Sequence, residues 1–140
     1  MEDLAGRLQV SDRIVWTGSL SGPRKWAALR YAEALVLTSH TENFGIVVVE
    51  ALAVGTPVLV SKRVNIWPEV VAAGAGYAEE NTVEGSVRLL RRWQDTSHAD
   101  RARMSESGKA VFQQRCEISL IAKNLEGVLR ECAYGRVDAG

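Results

Sequence analysis

The sequence predicts an α/β domain, a parallel sheet with helices on both faces, and three features lead there. Short strand-like runs alternate with helix-like segments along most of the 140 residues, the order that places crossover helices between parallel strands. Two of those runs, ALVLTS at 34–39 and PVLVS at 57–61, are continuously apolar, as strands covered on both faces are. No low-complexity linker or internal repeat divides the chain. A chain of this size has room for one core that buries roughly two-thirds of the surface its unfolded form exposes.

Taken in order, residues 2–10 predict a short amphipathic helix, with Leu4 and Leu8 four residues apart and a Ser-Asp break after it. RIVWTG, residues 13–18, reads as a strand ended by glycine. Pro23 suits the first turn of a helix that runs to about Ala32, where Trp26, Leu29 and Tyr31 supply apolar bulk. ALVLTS follows as a strand. The next segment, IVVVEALAV at 46–54, favours a strand by propensity in its first four residues. Its termini predict a helix instead: Asn43, Phe44 and Gly45 turn into it, and Gly55 followed by Pro57 stops it before PVLVS. KRVNI leads to a helix near 67–73 closed by Gly74, and GYAE at 76–79 is a short last strand. Helices are predicted at 83–93, 99–111 and 117–132. The last carries Ile118, Ile121, Ala122, Leu125, Val128 and Leu129 at helical spacing. GRVDAG, residues 135–140, reads as a frayed tail, which leaves 1–134 as the folded part.

Composition narrows the function classes. Hydrophobic residues make up 46% and charged residues 24%, too apolar for a disordered chain. Lys+Arg and Asp+Glu balance at 17 each, so no general basic field points to nucleic acid. No apolar run approaches the ~18 residues of a membrane span and MEDLAGRLQ has no apolar signal core, which predicts a cytoplasmic chain. Cys116 and Cys132 read as reduced thiols, and neither they nor His40 and His98 show metal-ligand spacing.

One residue breaks the apolar pattern. Of the nine residues 46–54, eight are apolar and the ninth is Glu50, and an ionised group leaving water without a partner costs several kcal/mol. Ligands of parallel α/β sheets sit outside the carboxyl ends of the strands, which directs attention to the turn Ser39-His40-Thr41-Glu42-Asn43-Phe44-Gly45. Gly45 removes a side chain where a ligand would approach, and the helix start beyond it offers amides and a positive dipole end suited to a diphosphate. Glu50 lies roughly 8 Å further along the helix axis, where a ribose diol would fall. The alternative for Glu50 is an ion pair with a nearby Lys or Arg, and for Glu42 an exposed loop acid or a helix cap. Arg24, Lys25, Lys62 and Arg63 stand at ends of elements within reach of phosphates and read as solvated charge. Arg88, Arg91 and Arg92 read as the solvent face of a helix.

These residues resemble a known family. Glu42-Asn-Phe-Gly-Ile-Val-Val-Val-Glu50, followed by Ala51-Leu-Ala-Val-Gly-Thr-Pro-Val58, resembles the E-x7-E block of family 4 (group 1) retaining glycosyltransferases. The flanks agree. Ile14-Val-Trp-Thr-Gly18 looks like the family's V-x-F-x-G strand and Leu29-x-Tyr31-x-x-Ala34 like its L-x-x-Y-x-x-A helix. Thr38-Ser39 stands where Pro-Ser is usual, and Pro68-Glu69-Val70 with Ala73-Gly-Ala-Gly76 matches the region beyond. The resemblance runs from about residue 4 to residue 130.

The resemblance implies a GT-B architecture, in which a Rossmann-like C-terminal lobe holds a nucleotide-diphosphate sugar as substrate, with no further cofactor and usually no metal. It implies a catalytic role for Glu42 on the donor-sugar hydroxyls. Glu50 would take the ribose hydroxyls, and the amides around Asn43, Phe44, Gly45, Ile46 and Val47 the sugar and diphosphate. Ser39 and Gly18 would line the same donor site, the latter near the base.

Two departures stand out. Val64-Asn65-Ile66-Trp67 replaces the usual Gly-Gly or Gly-Thr, and the G-R-x-x-x-K-G diphosphate clamp is not found. The expectation is therefore an incomplete, N-terminally truncated C-terminal lobe, with an acceptor-binding N-terminal lobe as its missing partner and little activity alone. Membrane association would come only through that lobe. The other function class is a non-catalytic nucleotide-binding or docking module that assembles with a separate lobe. A hydrolase using Glu42 and Glu50 fits poorly, because retaining glycosidases need their carboxyl groups about 5 Å apart across an open sugar.

Overall fold

The computed structural model describes residues 2–40 and 45–116. Helix α1 covers Glu2–Arg7, and a 3-10 turn at Ser11–Arg13 follows it. Helix α2 covers Gly22–Tyr31, strand β1 Leu35–Leu37 and helix α3 Ile46–Val54. Then come β2 at Val58–Ser61, α4 at Trp67–Ala72, β3 at Gly76–Glu79, α5 at Val83–Gln94 and α6 at His98–Val111, which runs into a π-helical turn at Phe112–Cys116. The predicted helix at 117–132 and the tail at 135–140 lie outside the described residues.

Among the described residues the sheet has three strands, all parallel, in the order β1-β2-β3. Leu35 pairs with Val58 and Leu37 with Val60, while Val58 faces Gly76 and Ser61 faces Glu79. The central strand is buried along its whole length. Side chains alternate across a strand, so Val58 and Val60 enter one core and Leu59 the other. The first core gathers Leu29 of α2, Val48, Ala51 and Leu52 of α3, Val64, Val70 of α4 and Ala75. The second joins Leu59 to Leu89 and Trp93 of α5 and Met104 of α6. Helices on both faces of a parallel sheet are as the sequence predicts.

Helix α3 shows why its termini outweigh its β-branched residues. It starts on Gly45 in the left-handed region, φ 62° and ψ 48°, and ends on Gly55 at φ 81°. Beyond Gly55 the amide of Thr56 donates to Ala51 O at 2.9 Å and that of Gly55 to Leu52 O at 3.0 Å, the paired bonds of a Schellman stop. Thr56 Oγ1, itself buried, donates to Leu29 O at 2.6 Å and ties that stop to α2.

Three expectations are corrected. RIVWTG is not a strand: Ile14 has extended dihedrals, but residues 14–18 join no ladder among the described residues, and Val15 is 84% exposed. Extended backbone becomes a strand only when a neighbouring edge accepts it. ALVLTS is not covered on both faces, because β1 is an edge strand and Val36 is 46% exposed. The Leu4 and Leu8 stripe also faces outward, and Ala5 is the residue α1 buries.

Candidate functional site

The carboxyl ends of the three strands converge. Ser39 and His40 follow β1, Ser61 ends β2 with Lys62 after it, and Glu80 and Asn81 follow β3. Ser61 Oγ donates to Ser39 O at 2.7 Å, holding the turn after β1 against β2. Asn81 Nδ2 lies 2.7 Å from His40 Nδ1, a bridge from β3 to the same turn. Lys62 Nζ donates to Glu80 Oε1 at 2.8 Å and sits 5.8 Å from the Trp67 ring centroid. Hydrogen bonding to Glu80 raises the Lys62 pKa above its ordinary value, and the same bond lowers that of Glu80.

Gly45 opens α3 at this end of the sheet. The amides of Val48 and Val49 donate to its carbonyl at 2.8 and 3.2 Å, and among the described residues no side chain caps the helix. The amides of Ile46 and Val47 therefore have no partner among the described residues, as the first amides of a helix do not. The Ile46 side chain is 65% exposed and that of Val47 half-buried. A nine-residue helix whose first amides have no partner among the described residues, with the dipole's positive end at its head, is suited to an anion.

Glu50 stands on the same helix. It accepts from Lys25 Nζ of α2, and the two side chains are 18% and 31% exposed respectively. Lys25 Nζ also lies 5.2 Å from the Trp26 ring centroid. Of the two sequence readings of Glu50, the structure displays the ion pair, and the described cavities are lined by other residues. One of about 440 Å3 is bounded by Pro68, Glu69, Ala72, Ala73, Val111 and Gln114. There Glu69 Oε2 is buried without a hydrogen-bond partner among the described residues.

The structure thus brings Glu50, Gly45, Ile46 and Val47 onto one helix and places Ser39 at the neighbouring strand end. Gly18 sits in the exposed loop before α2 at φ 62°. Glu42, Asn43 and Phe44 lie outside the described residues. Sequence reasoning left Lys25 and Glu50 unjoined, since 25 residues separate them and no spacing rule connects α2 to α3. It also missed the bridge from Asn81 to His40. Arg88 and Arg92, read as solvent-facing, are engaged with β3: Arg88 donates to Glu79 at 3.0 and 3.1 Å, and Arg92 stacks 3.8 Å from the Tyr77 ring. Among the described residues no helix is long and apolar enough to cross a membrane, and no cluster of three His, Cys, Asp or Glu could hold a metal ion.

A parallel sheet between helix layers, with a glycine-headed helix at the carboxyl end of β1, defines a Rossmann-like class of α/β lobe. Comparison makes this specific. The model of the family described as glycosyl transferases group 1 matches residues 1–111, and the chain belongs to that family. It is similar to a D-inositol 3-phosphate glycosyltransferase of Streptomyces griseus, with 34% identity over 97 residues, 68% of this chain and 20% of that one. The fold is shared with a sucrose-phosphate synthase of Thermosynechococcus elongatus at TM-score 0.83 and 22% identity, over 96% of this chain and 34% of that one. It is shared also with the C-terminal domain of a glycosyl transferase group 1 family protein of Francisella tularensis, at TM-score 0.69 and 21% identity, over 84% of this chain and 60% of that one. The architecture is accordingly that of a Rossmann-like lobe of the GT-B glycosyltransferases. The chain spans between 16% and 26% of the length of the curated relatives it matches.

Proposed function

We propose that these residues form the donor-binding lobe of a retaining glycosyltransferase and bind a nucleotide-diphosphate sugar. The observation that carries this reading is the head of α3. Gly45 in the left-handed conformation heads the helix at the carboxyl end of the sheet, the amides of Ile46 and Val47 have no partner among the described residues, and Glu50 stands on the same helix. In this reading the amides take the diphosphate, Glu50 the ribose hydroxyls and Glu42 the donor-sugar hydroxyls. Helix dipole and basic side chains stabilise the charge on the leaving diphosphate. Acceptor binding belongs to another lobe, and these 140 residues alone turn over little or no donor, in the cytoplasm where nucleotide sugars are at hand.

Calorimetric titration with UDP, GDP, ADP and their sugar conjugates tests this, with Glu50→Ala as the control. One nucleotide series is expected to bind the parent chain and to lose affinity in the variant. Absence of binding by every nucleotide, with circular dichroism showing an intact fold, would remove the donor-site reading.

A docking module without catalysis is the second reading. The edge of β1 and the exposed Val15, Trp16, Tyr31 and Val36 favour it, because unpaired strand edges and apolar patches are where chains assemble. Restoration of transfer on mixing with a separately expressed acceptor lobe supports assembly. The same mixture restoring transfer with Glu50→Ala would make the module non-catalytic.

A further inference from the structure

The ion pair between α2 and α3 sets a problem for the donor site. Lys25 Nζ holds the carboxylate of Glu50, which the ribose diol needs, and a diphosphate at the head of α3 would bring negative charge within roughly 8 Å of that same carboxylate. A site in which Lys25 stays where it is cannot give Glu50 fully to a diol. A site without Lys25 sets two anions against each other.

We propose that Lys25 is a donor-site residue that exchanges partners: it surrenders Glu50 to the ribose diol and turns to the diphosphate, and so sets the preference of the site for nucleoside diphosphates over nucleosides. This rests on the donor-binding reading above.

Four features support the exchange. Lys25 belongs to the first turn of α2, and its flexible four-carbon stem lets the ammonium swing without moving backbone. Its side chain is 31% exposed and that of Glu50 18%, so the pair is incompletely desolvated and water reaches the ammonium. The second contact of its ammonium is with the face of Trp26, which tolerates rotation in a way a second carboxylate would not. Finally, two cations near the strand ends are paired with acids of β3 or the residue after it, Lys62 with Glu80 and Arg88 with Glu79. Lys25 is instead bound to a group that the ligand itself would take over. The exchange leaves no polar group bare: the neutral diol hydroxyls keep the Glu50 carboxylate hydrogen-bonded, and the ammonium released meets the anion.

The test compares UDP, GDP and ADP with uridine, guanosine and adenosine by titration calorimetry, on the parent chain and on Lys25→Met, Lys25→Arg and Glu50→Gln, each checked for fold by circular dichroism. For the base that binds, Lys25→Met is expected to lower diphosphate affinity about tenfold or more, the worth of one charge-assisted hydrogen bond. It should also flatten the salt dependence while nucleoside affinity holds or rises. Lys25→Arg should keep the diphosphate preference. Diphosphate affinity unchanged in Lys25→Met, or diphosphate and nucleoside weakening together, overturns the exchange while Glu50→Gln still loses binding. A parent chain that binds none of the six, or a Glu50→Gln variant that binds as the parent does, overturns the donor-site reading and the exchange with it.

Discussion

Replacing Gly45 with alanine separates what the head of α3 requires from what it merely contains. Gly45 sits at φ 62° and ψ 48°, a conformation that costs an L-residue with a Cβ about 1–2 kcal/mol. The added methyl would also lie 3.1 Å from Val64 Cγ1 and 3.4 Å from Val48 Cγ2. Both valines are fully buried, so neither yields without disturbing the core under α3. Against this, alanine narrows the unfolded ensemble and returns about 0.4–1 kcal/mol. The expected net loss is about 1–2 kcal/mol, which for a domain of this size lowers the melting temperature by several degrees. Urea unfolding followed by circular dichroism and tryptophan fluorescence gives the value. Two further variants divide it. Gly45→Asn keeps a Cβ but tolerates the left-handed region, so it should recover part of the loss if backbone strain dominates. In a Val64→Ala background the penalty of Gly45→Ala should shrink if the contact dominates. A Gly45→Ala chain within 0.5 kcal/mol of the parent would refute the reasoning, since neither strain nor contact would then be present.

Three other perturbations have expected outcomes. Thr56→Val keeps the shape of a buried residue but removes its 2.6 Å hydrogen bond to Leu29 O, which retains only the longer 3.3 Å bond from Ala32 N; a loss of about 1 kcal/mol in urea unfolding is expected, and none would mean that the Ala32 amide suffices. Arg101 donates to Trp93 O at 2.9 Å and Thr96 O at 3.2 Å, pairs with Glu33 at 2.7 Å, and stacks 4.2 Å from the Trp93 ring. Arg101→Ala should therefore destabilise the end of α5 by about 1–3 kcal/mol, and Arg101→Lys should recover less than half, because lysine lacks the planar fork. The pair of Lys62 and Glu80 titrates at both ends of the pH scale. Glu80, with its pKa lowered, stabilises the fold above the ordinary carboxylate range, and that contribution is lost as pH falls through the folded value. Lys62, with its pKa raised, contributes below the ordinary lysine range and loses it as pH rises through the folded value. Melting temperatures across pH should show a small effect at each extreme that Lys62→Met abolishes; identical profiles for the two chains would remove the pair from the stability of the fold.

The fold was legible wherever a local signal decided the outcome. Gly45 and Gly55 bounded α3 although residues 46–49 favour a strand, because a left-handed residue at each end is a property of the chain itself. Position in the sheet carried no such signal. PVLVS and ALVLTS have the same apolar character, yet Val58, Leu59 and Val60 are wholly buried while Val36 is half open to solvent. The difference lies in which strand is central, and that depends on pairing over the sheet as a whole. RIVWTG failed for the same reason. Its residues accept extended dihedrals, but a ladder needs a second edge, and nothing within six residues specifies one.

The site divides along the same line. That Glu50 needs a partner follows from its eight apolar neighbours, because desolvation acts on any carboxylate set in such a run. Which partner it finds is a tertiary matter. Lys25 reaches it because α2 packs on α3 through Leu29 and is pinned there by Thr56, residues whose side chains carry no charge and so announce nothing about electrostatics. An ion pair with lysine and a hydrogen-bonded diol answer the same physical demand, and the exposure of both partners makes them exchangeable rather than exclusive. Had Glu50 been fully buried against Lys25, opening the pair would have left a bare charge at a cost of several kcal/mol, and a ligand would have had to repay it before binding at all. Partial exposure lowers that barrier, and with it the conflict between the ion pair and the donor-site reading.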